Sequence, residues 1–230
     1  MIKIDIHTHS VYSKHRIWGS AGFGTPKQMI KFAIKKGLNG LAITDHNSVK
    51  GSLIGMKYAK KLKNFVFITG SEIRSERGDI LALGVNEDIP KGLSVQETID
   101  KIHQLGGIAI APHPYGGFPR RSSLRDAVRK YRFDALEVLN GGTRSWDNKK
   151  AYEVAKELNY PMVGGSDAHH WKDIGTIYNL MESDLSVDDI LNTLKKGKVT
   201  VIGKPFGIYS KLRVGVKKVL KVSINYSLNS

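Results

Sequence analysis

Residues 2–10 read Ile-Lys-Ile-Asp-Ile-His-Thr-His-Ser, a short apolar run that ends in a pair of histidines. His7 and His9 are two residues apart, so both side chains point to the same face of a strand. In β/α barrels the functional side chains collect at the carboxyl ends of the strands. The stretch therefore predicts a buried first strand that carries chemistry at its carboxyl end.

Six further apolar runs follow, each consistent with a buried strand: residues 40–44, 65–69, 80–85, 108–111, 135–139 and 161–164. Helical patterns lie between most of them, over residues 26–36, 48–63, 94–105, 122–132 and 147–158. Strands that are apolar on both faces and alternate with helices predict a parallel sheet. Seven strands favour a small β/α barrel, complete or incomplete. An open doubly wound sheet is the alternative, although no glycine-rich nucleotide fingerprint follows the first strand.

The amino-acid composition limits which classes of protein are possible. The 230 residues include 36 Lys and Arg against 21 Asp and Glu, for a net charge of +15, and no cysteine. The lack of cysteine excludes a disulfide scaffold, a zinc ribbon and a cysteine nucleophile. With no apolar run of about 18 residues and no secretory signal, we expect a cytoplasmic protein without a membrane span. The positive charge favours phosphorylated or nucleic-acid partners, with a solvated lysine-rich surface as the plain alternative.

Polar side chains follow several of the other apolar runs as well. Together with the first pair, the candidates at or just beyond the strand ends are His7, His9, His15, His46, Glu72, His113, Asp167 and His169. Imidazole and carboxylate groups without thiolate suit Zn²⁺, Mn²⁺ or Fe²⁺. Because one catalytic zinc takes about three protein ligands, this number of candidates predicts a cluster of two or three divalent ions. Such clusters activate a hydroxide and bind the oxygens of a phosphoryl group.

Five short motifs occur in an order that resembles the PHP (polymerase and histidinol phosphatase) superfamily: HxHS at 7–10, TDH at 44–46, GxE at 70–72, HP at 113–114 and SDAH at 166–169. The resemblance covers roughly residues 1–200. It implies a distorted (β/α)7 barrel, a trinuclear metal site and phosphoester hydrolysis as the commonest activity. Residues 1–203 are then expected to form the barrel. Residues 204–230 would be a basic extension of the same domain that closes the barrel, binds anions or pairs with another subunit.

The resemblance also implies how the candidate ligands are divided among the ions. The first ion would be held by His7, His9, Glu72 and Asp167. Glu72 would bridge to a second ion held by His113, and Asp79 stands where many relatives place another ligand, often histidine. The third ion would be held by His15, His46 and His169.

Other residues are candidates for roles beside the ions. Asp167 and His169 are candidates for proton transfer as well as for metal binding. Arg120 is a candidate for binding the substrate phosphate, because the arginine fork matches phosphate oxygens, and Arg144 is a second such candidate. Asp45 is expected to orient a ligand or its backbone rather than to bind metal.

The leading functional hypothesis is metal-dependent hydrolysis of phosphoesters by a metal-bound hydroxide, as a phosphatase or a nucleotide phosphoesterase. A nuclease that acts on the ends of single-stranded nucleic acid would suit the same site. A metal amidohydrolase is a second enzyme class, since such enzymes also open with HxH after a barrel strand. A nucleic-acid-binding module without enzymatic activity is a third class, which metal analysis would separate from the enzymes.

Overall fold

The computed structural model of the protein describes residues 1–15, 19–116 and 122–206, without the side chains of residues 15, 19 and 20. The strands are β1 (Ile2–Asp5), β2 (Lys14–His15), β3 (Gly19–Ser20), β4 (Gly40–Ile43), β5 (Val66–Arg74), β6 (Asp79–Leu83), β7 (Ile108–Ala111), β8 (Ala135–Asn140), β9 (Met162–Gly165), β10 (Ile177–Met181) and β11 (Val199–Gly203). The α-helices are α1 (Pro26–Lys35), α2 (Lys50–Ala59), α3 (Val95–Gln104), α4 (Ser145–Glu157) and α5 (Val187–Lys195). Among these described helices, none combines the length and the apolarity that crossing a membrane requires.

Nine of the described strands form one sheet, in the order β11-β10-β1-β4-β5-β6-β7-β8-β9. The strands β1, β4 and β5 are parallel to one another, and so are β7, β8 and β9. The strand β6 is antiparallel to both of its neighbours, and β10 is antiparallel to β1 and β11. The predicted all-parallel sheet is therefore wrong at β6, and β10 is an antiparallel strand that was not predicted from the sequence. At β6 the reason is the short connection 75–78 after β5, since a parallel crossover needs about a dozen residues.

The predicted helix over residues 122–132 is also wrong. Its residues contain a short 3₁₀ turn, Arg125–Arg129, in place of an α-helix. Arg125 has a φ of 49°, which a right-handed helix does not accommodate, and its backbone N–H donates to the Pro114 carbonyl at 2.7 Å. The backbone of this segment is thus fixed by the loop after β7 rather than by helical hydrogen bonds.

Residues 177–203 contain two strands and a helix that local patterns did not predict. In β10 every second residue is buried and the others are half-buried, whereas the predicted strands were recognised as continuous apolar runs. The helix α5 begins after Ser186, whose Oγ accepts a hydrogen bond from the Asp189 N–H at 3.1 Å. These elements complete the sheet beyond β1.

The barrel interior is filled by buried apolar side chains from eight strands and from α5. This cluster includes Ile4, Ile68, Leu81, Ile110, Val163, Met181, Ile190 and Leu194. Residues near the amino ends of strands, such as Ile2 and Ile108, belong to the same cluster as Ile190. The helix α5 therefore covers the amino ends of the parallel strands, which leaves their carboxyl ends as the open mouth.

One side chain links the two ends of the sheet. The buried Asn179 of β10 accepts a hydrogen bond from the Gly164 N–H of β9 at 2.9 Å. Its Nδ2 donates to the carbonyl of Gly164 at 2.7 Å and to that of Ile4 in β1 at 3.3 Å. The sheet thus curls into a nearly closed barrel, and the predicted α/β barrel of the (β/α)7 type is confirmed.

We expect the variant Asn179→Ala to lower the free energy of unfolding by about 2–3 kcal/mol. The change removes the partner of buried backbone groups, and a buried group without a hydrogen bond costs about 1–3 kcal/mol. Urea unfolding followed by circular dichroism measures the difference. Asn192→Ala on the exposed face of α5 is the control and should change stability by less than about 0.5 kcal/mol. Equal stability of the two variants would contradict this account of barrel closure.

Candidate metal centre

The strand ends bring the predicted ligands to one end of the barrel. The ligands that follow a strand of the barrel are His7, His9, His46, His113, Asp167 and His169. Glu72 lies inside β5 rather than beyond the third predicted strand, because β5 continues to Arg74 in its hairpin with β6. The backbone of Glu72 forms an isolated parallel bridge with the backbone of His46, which holds these two residues side by side.

The loops after β1 and β9 hold each other in place. The Asp167 N–H donates to the His7 carbonyl at 2.8 Å, and the His9 N–H donates to the Ala168 carbonyl at 2.9 Å. Asp167 has a φ of 52° and His113 a φ of 31°, in the left-handed region that residues with side chains seldom adopt. Such backbone strain concentrates at functional sites.

Four donor atoms form a compact set at the centre of the mouth. The four atoms are His7 Nε2, His9 Nε2, Glu72 Oε2 and Asp167 Oδ1. Of the six distances between pairs of these atoms, five lie between 3.2 and 3.6 Å. Ligands about 2.0–2.1 Å from a tetrahedral zinc ion are about 3.4 Å from one another. All four side chains are at least 95 % buried. The set therefore has the spacing of ligands that share one ion.

Glu72 supplies an independent test of whether a metal fits. Its Oε2 is buried and makes no hydrogen bond to any described residue. Three imidazole nitrogens nevertheless surround it, since His46 Nδ1 lies at 2.9 Å, His9 Nε2 at 3.3 Å and His7 Nε2 at 3.6 Å. A buried carboxylate oxygen without a hydrogen bond is costly, and a bound cation removes that cost. The residues present thus fit a divalent ion.

Further donor atoms lie within reach of the central set. His9, His46 and His169 offer ring nitrogens within 4.8 Å of one another, and so do the donor atoms of His7, Glu72 and His113. His113 Nε2 is 2.9 Å from Glu72 Oε1, so Glu72 presents one oxygen to each group. The donor groups can accommodate more than one ion.

Asp79 lies in the same cluster but has another partner. Its carboxylate is buried and within 4.8 Å of donor atoms of His46 and Glu72. Both carboxylate oxygens accept hydrogen bonds from the Arg74 guanidinium, from Nη2 at 3.1 Å and from Nε. Burial and the neighbouring Glu72 raise the pKa of Asp79 to about 6. Asp79 thus stands near the ions' expected positions while bound to a guanidinium.

The local environment favours the protonation states that metal ligands require at His9, His169, Glu72 and Asp167. Burial and the neighbouring His46 lower the pKa of His9 to about 4. Burial and the neighbouring His9 lower the pKa of His169 to about 3. Burial opposes ionisation of Glu72 and Asp167, but the surrounding histidines hold both pKa values well below the usual range. Neutral imidazoles beside ionised carboxylates are the forms that bind metal. At His7 and His46 burial is outweighed by neighbouring carboxylates, which raise the pKa of both imidazoles, so a bound ion there has to replace a proton.

Sequence reasoning missed Glu137, a fully buried carboxylate in β8. Its Oε1 is 3.0 Å from His7 Nδ1, and its Oε2 accepts hydrogen bonds from the His113 N–H at 2.8 Å and from Asn140 Nδ2 at 2.9 Å. A proton on His7 Nδ1 directed at Glu137 leaves the Nε2 lone pair for the central set. The signal in the sequence was a single charged residue inside an otherwise apolar strand.

Asp45 supports the loop after β1, as expected, rather than joining the donor cluster. Its two oxygens accept hydrogen bonds from the Ser10 N–H and from Ser10 Oγ, both at 2.6 Å. The neighbouring helix α2 can approach because residue 51 is glycine, where a Cβ atom would lie 2.0 Å from Asp45 Oδ2. Asp45 therefore braces the backbone next to His9.

Two predicted site residues cannot be placed in this geometry. The side chain of His15 and the whole of Arg120 lie outside the described residues, as does the extension beyond residue 206. Their predicted roles, as a ligand of the third ion and as a phosphate-binding residue, stay predictions. Arg144 lies at the start of α4, where its guanidinium is 5.2 Å from the ring centre of Trp146.

Comparison with known proteins adds a family to this geometry. A family model described as PHP-associated matches residues 145–199. An uncharacterized protein of Methanocaldococcus jannaschii is 41% identical over 163 residues, which cover 68% of this chain and 94% of that protein.

Two solved structures share the fold. One is a two-domain protein of Bacteroides vulgatus containing a predicted PHP-like metal-dependent phosphoesterase, with a TM-score of 0.69 and 19% identity, covering 94% of this chain and 69% of that one. The other is an amidohydrolase of Chromobacterium violaceum with bound sulfate. It has a TM-score of 0.60 and 16% identity, and the match covers 87% of this chain and 97% of that one. The motif order, the barrel and the matched segment that carries Asp167 and His169 lead to one assignment: this chain belongs to the PHP (polymerase and histidinol phosphatase) superfamily.

Proposed function

We propose that this protein is a metal-dependent phosphoesterase that hydrolyses phosphorylated small molecules or nucleotides. The observation that supports this most directly is the spacing of His7, His9, Glu72 and Asp167, together with a buried Glu72 oxygen that lacks a hydrogen bond in the described residues. The surrounding imidazoles support two or three ions in total. The nitrogen and oxygen donors suit Zn²⁺, Mn²⁺ or Fe²⁺.

Bound divalent ions would supply Lewis acidity at the phosphoryl group and activate water for attack. The chain's own residues set up the mouth for that chemistry. His46 and His169 are 24% and 22% exposed, whereas His7 and Glu72 are buried, so a substrate reaches the centre from the side of His46 and His169. Among the proposed ligands whose side chains the structure describes, these two are therefore the closest to solvent.

His169 suits the role of a metal ligand better than that of a proton acceptor. Its Nδ1 is 3.0 Å from the backbone carbonyl of Asp167, to which an N–H donates, so the lone pair is on Nε2. Because burial and His9 lower the pKa of His169 to about 3, the imidazole is neutral at pH 7. His169 can thus bind an ion at Nε2, but a group with so low a pKa is a weak base and is not protonated at pH 7, so it acts as neither a strong general base nor a general acid.

Cations paired with aromatic rings support an anionic substrate that carries a ring. Lys50 Nζ lies 5.4 Å from the ring centre of Tyr12, and Lys150 Nζ lies 4.5 Å from that of Tyr115. Tyr12 and Lys50 follow the carboxyl ends of β1 and β4 and lie on the side of the mouth, whereas Tyr115 is buried in the core and Lys150 lies within α4. An ammonium group beside an aromatic face suits a nucleotide phosphate and base. This supports nucleotides over simple phosphate esters as substrates. The end of a single-stranded nucleic acid would present the same phosphate and base groups.

A panel of substrates with and without metal tests the proposal. We expect chelated protein to be inactive, and reconstitution with Mn²⁺ or Zn²⁺ to restore hydrolysis of a chromogenic phosphomonoester, a phosphodiester and nucleoside phosphates. Release of phosphate or of the alcohol is the measurement. The matched protein variant is His7→Ala with His9→Ala, which should stay inactive in every metal.

The same panel includes an amide and a lactone, because one structural relative is an amidohydrolase. Hydrolysis of these compounds without any phosphoester hydrolysis would replace the proposed function by the amidohydrolase class. Hydrolysis restricted to single-stranded oligonucleotides, with a steep salt dependence of binding, would identify the nuclease. Activity that survives the double histidine variant would contradict the metal centre as the active site.

A further inference from the structure

The ion pair of Arg74 and Asp79 lies beside the metal centre and was not foreseen from the sequence. Arg74 is two residues from Glu72 on β5, so both side chains point to the same face of the strand. Asp79 is the first residue of β6 and pairs across the hairpin with Arg74. The hairpin register thus places a guanidinium next to the buried carboxylates.

The guanidinium binds the atoms that a metal would need. Asp79 is 98% buried, and both of its oxygens accept hydrogen bonds from Arg74, one from Nη2 at 3.1 Å and one from Nε. A fork of this kind matches a carboxylate with two parallel hydrogen bonds. A divalent ion bound to Asp79 would therefore have to displace Arg74 from it.

Charge gives the same result as geometry. An arginine side chain stays protonated at every physiological pH, so Asp79 already has a permanent positive partner. A divalent ion at Asp79 would also be close to this positive charge and repelled by it. Without Asp79, the position between Glu72 and His113 offers those two side chains and His7, whose Nε2 already belongs to the central set. That is fewer ligands than the three that a protein zinc site normally uses.

We infer that Arg74 is a built-in cation of this centre, which holds Asp79 in an ion pair and takes the place of one divalent ion. The inference rests on the proposed metal-dependent function and deepens it, because it says which of the candidate ligands does not bind metal. Arg74 is a positioning residue here, and 41% of its side chain is exposed. Its charge stays in place when the ions exchange.

Equilibrium dialysis against Mn²⁺ alone, followed by metal analysis, tests the inference by counting ions. We expect Arg74→Met to bind one more Mn²⁺ per chain than the wild type, because Asp79 is released as a ligand. The double variant Arg74→Met with Asp79→Asn should lose that gain. Arg77→Met is the matched control, since Arg77 lies in the same hairpin, is exposed and pairs with the exposed Glu76, and it should bind as many ions as the wild type.

A second variant keeps the inference testable if Arg74→Met fails to fold. Asp79→Asn alone should leave the number of bound Mn²⁺ ions unchanged, because Asp79 is not a ligand in the wild type. A loss of one ion in Asp79→Asn, or equal ion counts in Arg74→Met and the wild type, would overturn the inference. If the wild type bound no ion, the proposed function would be contradicted instead. The inference would then still require that Arg74→Met binds one Mn²⁺ ion per chain.

Discussion

Replacement of Glu72 by glutamine is expected to weaken Mn²⁺ binding by more than about 100-fold. Loss of a residue that only hydrogen-bonds to a metal ligand lowers metal affinity by about 10–100-fold, and loss of a ligand itself should lower it further. Glu72 presents Oε1 to His113 at 2.9 Å and Oε2 to His46 at 2.9 Å, so one residue serves two donor groups. The neutral amide of glutamine keeps the shape but lacks the negative charge and one acceptor oxygen. Phosphoesterase activity should fall below detection in the same variant.

Calorimetric titration with Mn²⁺ measures the affinity, and a thermal melt gives a second readout. A ligand at about 100 times its dissociation constant stabilises a protein by about 2.7 kcal/mol, so Mn²⁺ should raise the melting temperature of the wild type but not that of Glu72→Gln. Glu76→Gln is the matched control, because Glu76 is an exposed carboxylate of the adjacent hairpin. If Glu72→Gln kept the wild-type response to Mn²⁺, Glu72 would not be a ligand.

The second large effect is expected from Glu137→Gln, which removes no proposed ligand. Glu137 accepts hydrogen bonds from both His7 Nδ1 and the His113 N–H, and an amide can offer its single oxygen to one of them. If the amide nitrogen faces His7, Nδ1 has to be the acceptor and the proton moves to Nε2, where it blocks metal binding. We expect a loss of about 10–100-fold in metal affinity, as is typical of residues that orient a ligand.

Nitrogen NMR of labelled histidine distinguishes this role from a purely structural one. The Zn²⁺-loaded wild type should show His7 with its proton on Nδ1, and Glu137→Gln should change the tautomer or the hydrogen-bond signature of that ring. Glu153→Gln on the exposed side of α4 is the control and should leave both affinity and spectrum unchanged. A Glu137→Gln variant with wild-type affinity and an unchanged His7 spectrum would show that Glu137 does not position the ligand.

Much of the fold could be predicted because the apolar runs are local. The seven predicted strands correspond to β1, β4, β5, β6, β7, β8 and β9, with boundaries that differ mainly where β5 extends to Arg74. The direction of β6 could not be predicted from its apolar pattern, because that pattern is the same for a strand that runs either way. β10 was missed because its buried residues alternate with half-buried ones instead of forming a continuous apolar run. α5 did carry a local signal that was missed, the capping residue Ser186 before Ile190, Leu191 and Leu194 at helical spacing.

Local patterns in the amino-acid sequence are enough to place the candidate ligands at the mouth of the barrel. In a β/α barrel the carboxyl ends of the parallel strands meet at one end, so the motifs at residues 7–10, 113–114 and 166–169 had to converge once the strands formed. The i, i+2 spacing of His7 and His9 likewise placed both on one face. These are consequences of short-range geometry, and residue order along the chain is enough to derive them.

How the candidate ligands are held, and which of them already has a partner, depends on contacts between distant parts of the chain. Glu137 is 130 residues from His7 in the chain, and Asn179 is 175 residues from Ile4, so neither contact is encoded in a local pattern. The pairing of Arg74 with Asp79 depends on the register of one hairpin. The close packing at Gly165, where a Cβ atom would lie 2.5 Å from both Glu137 Oε1 and His7 Cβ, depends on closure of the barrel. Contacts of this kind follow from packing of the whole chain, because strand direction, register and closure are set together.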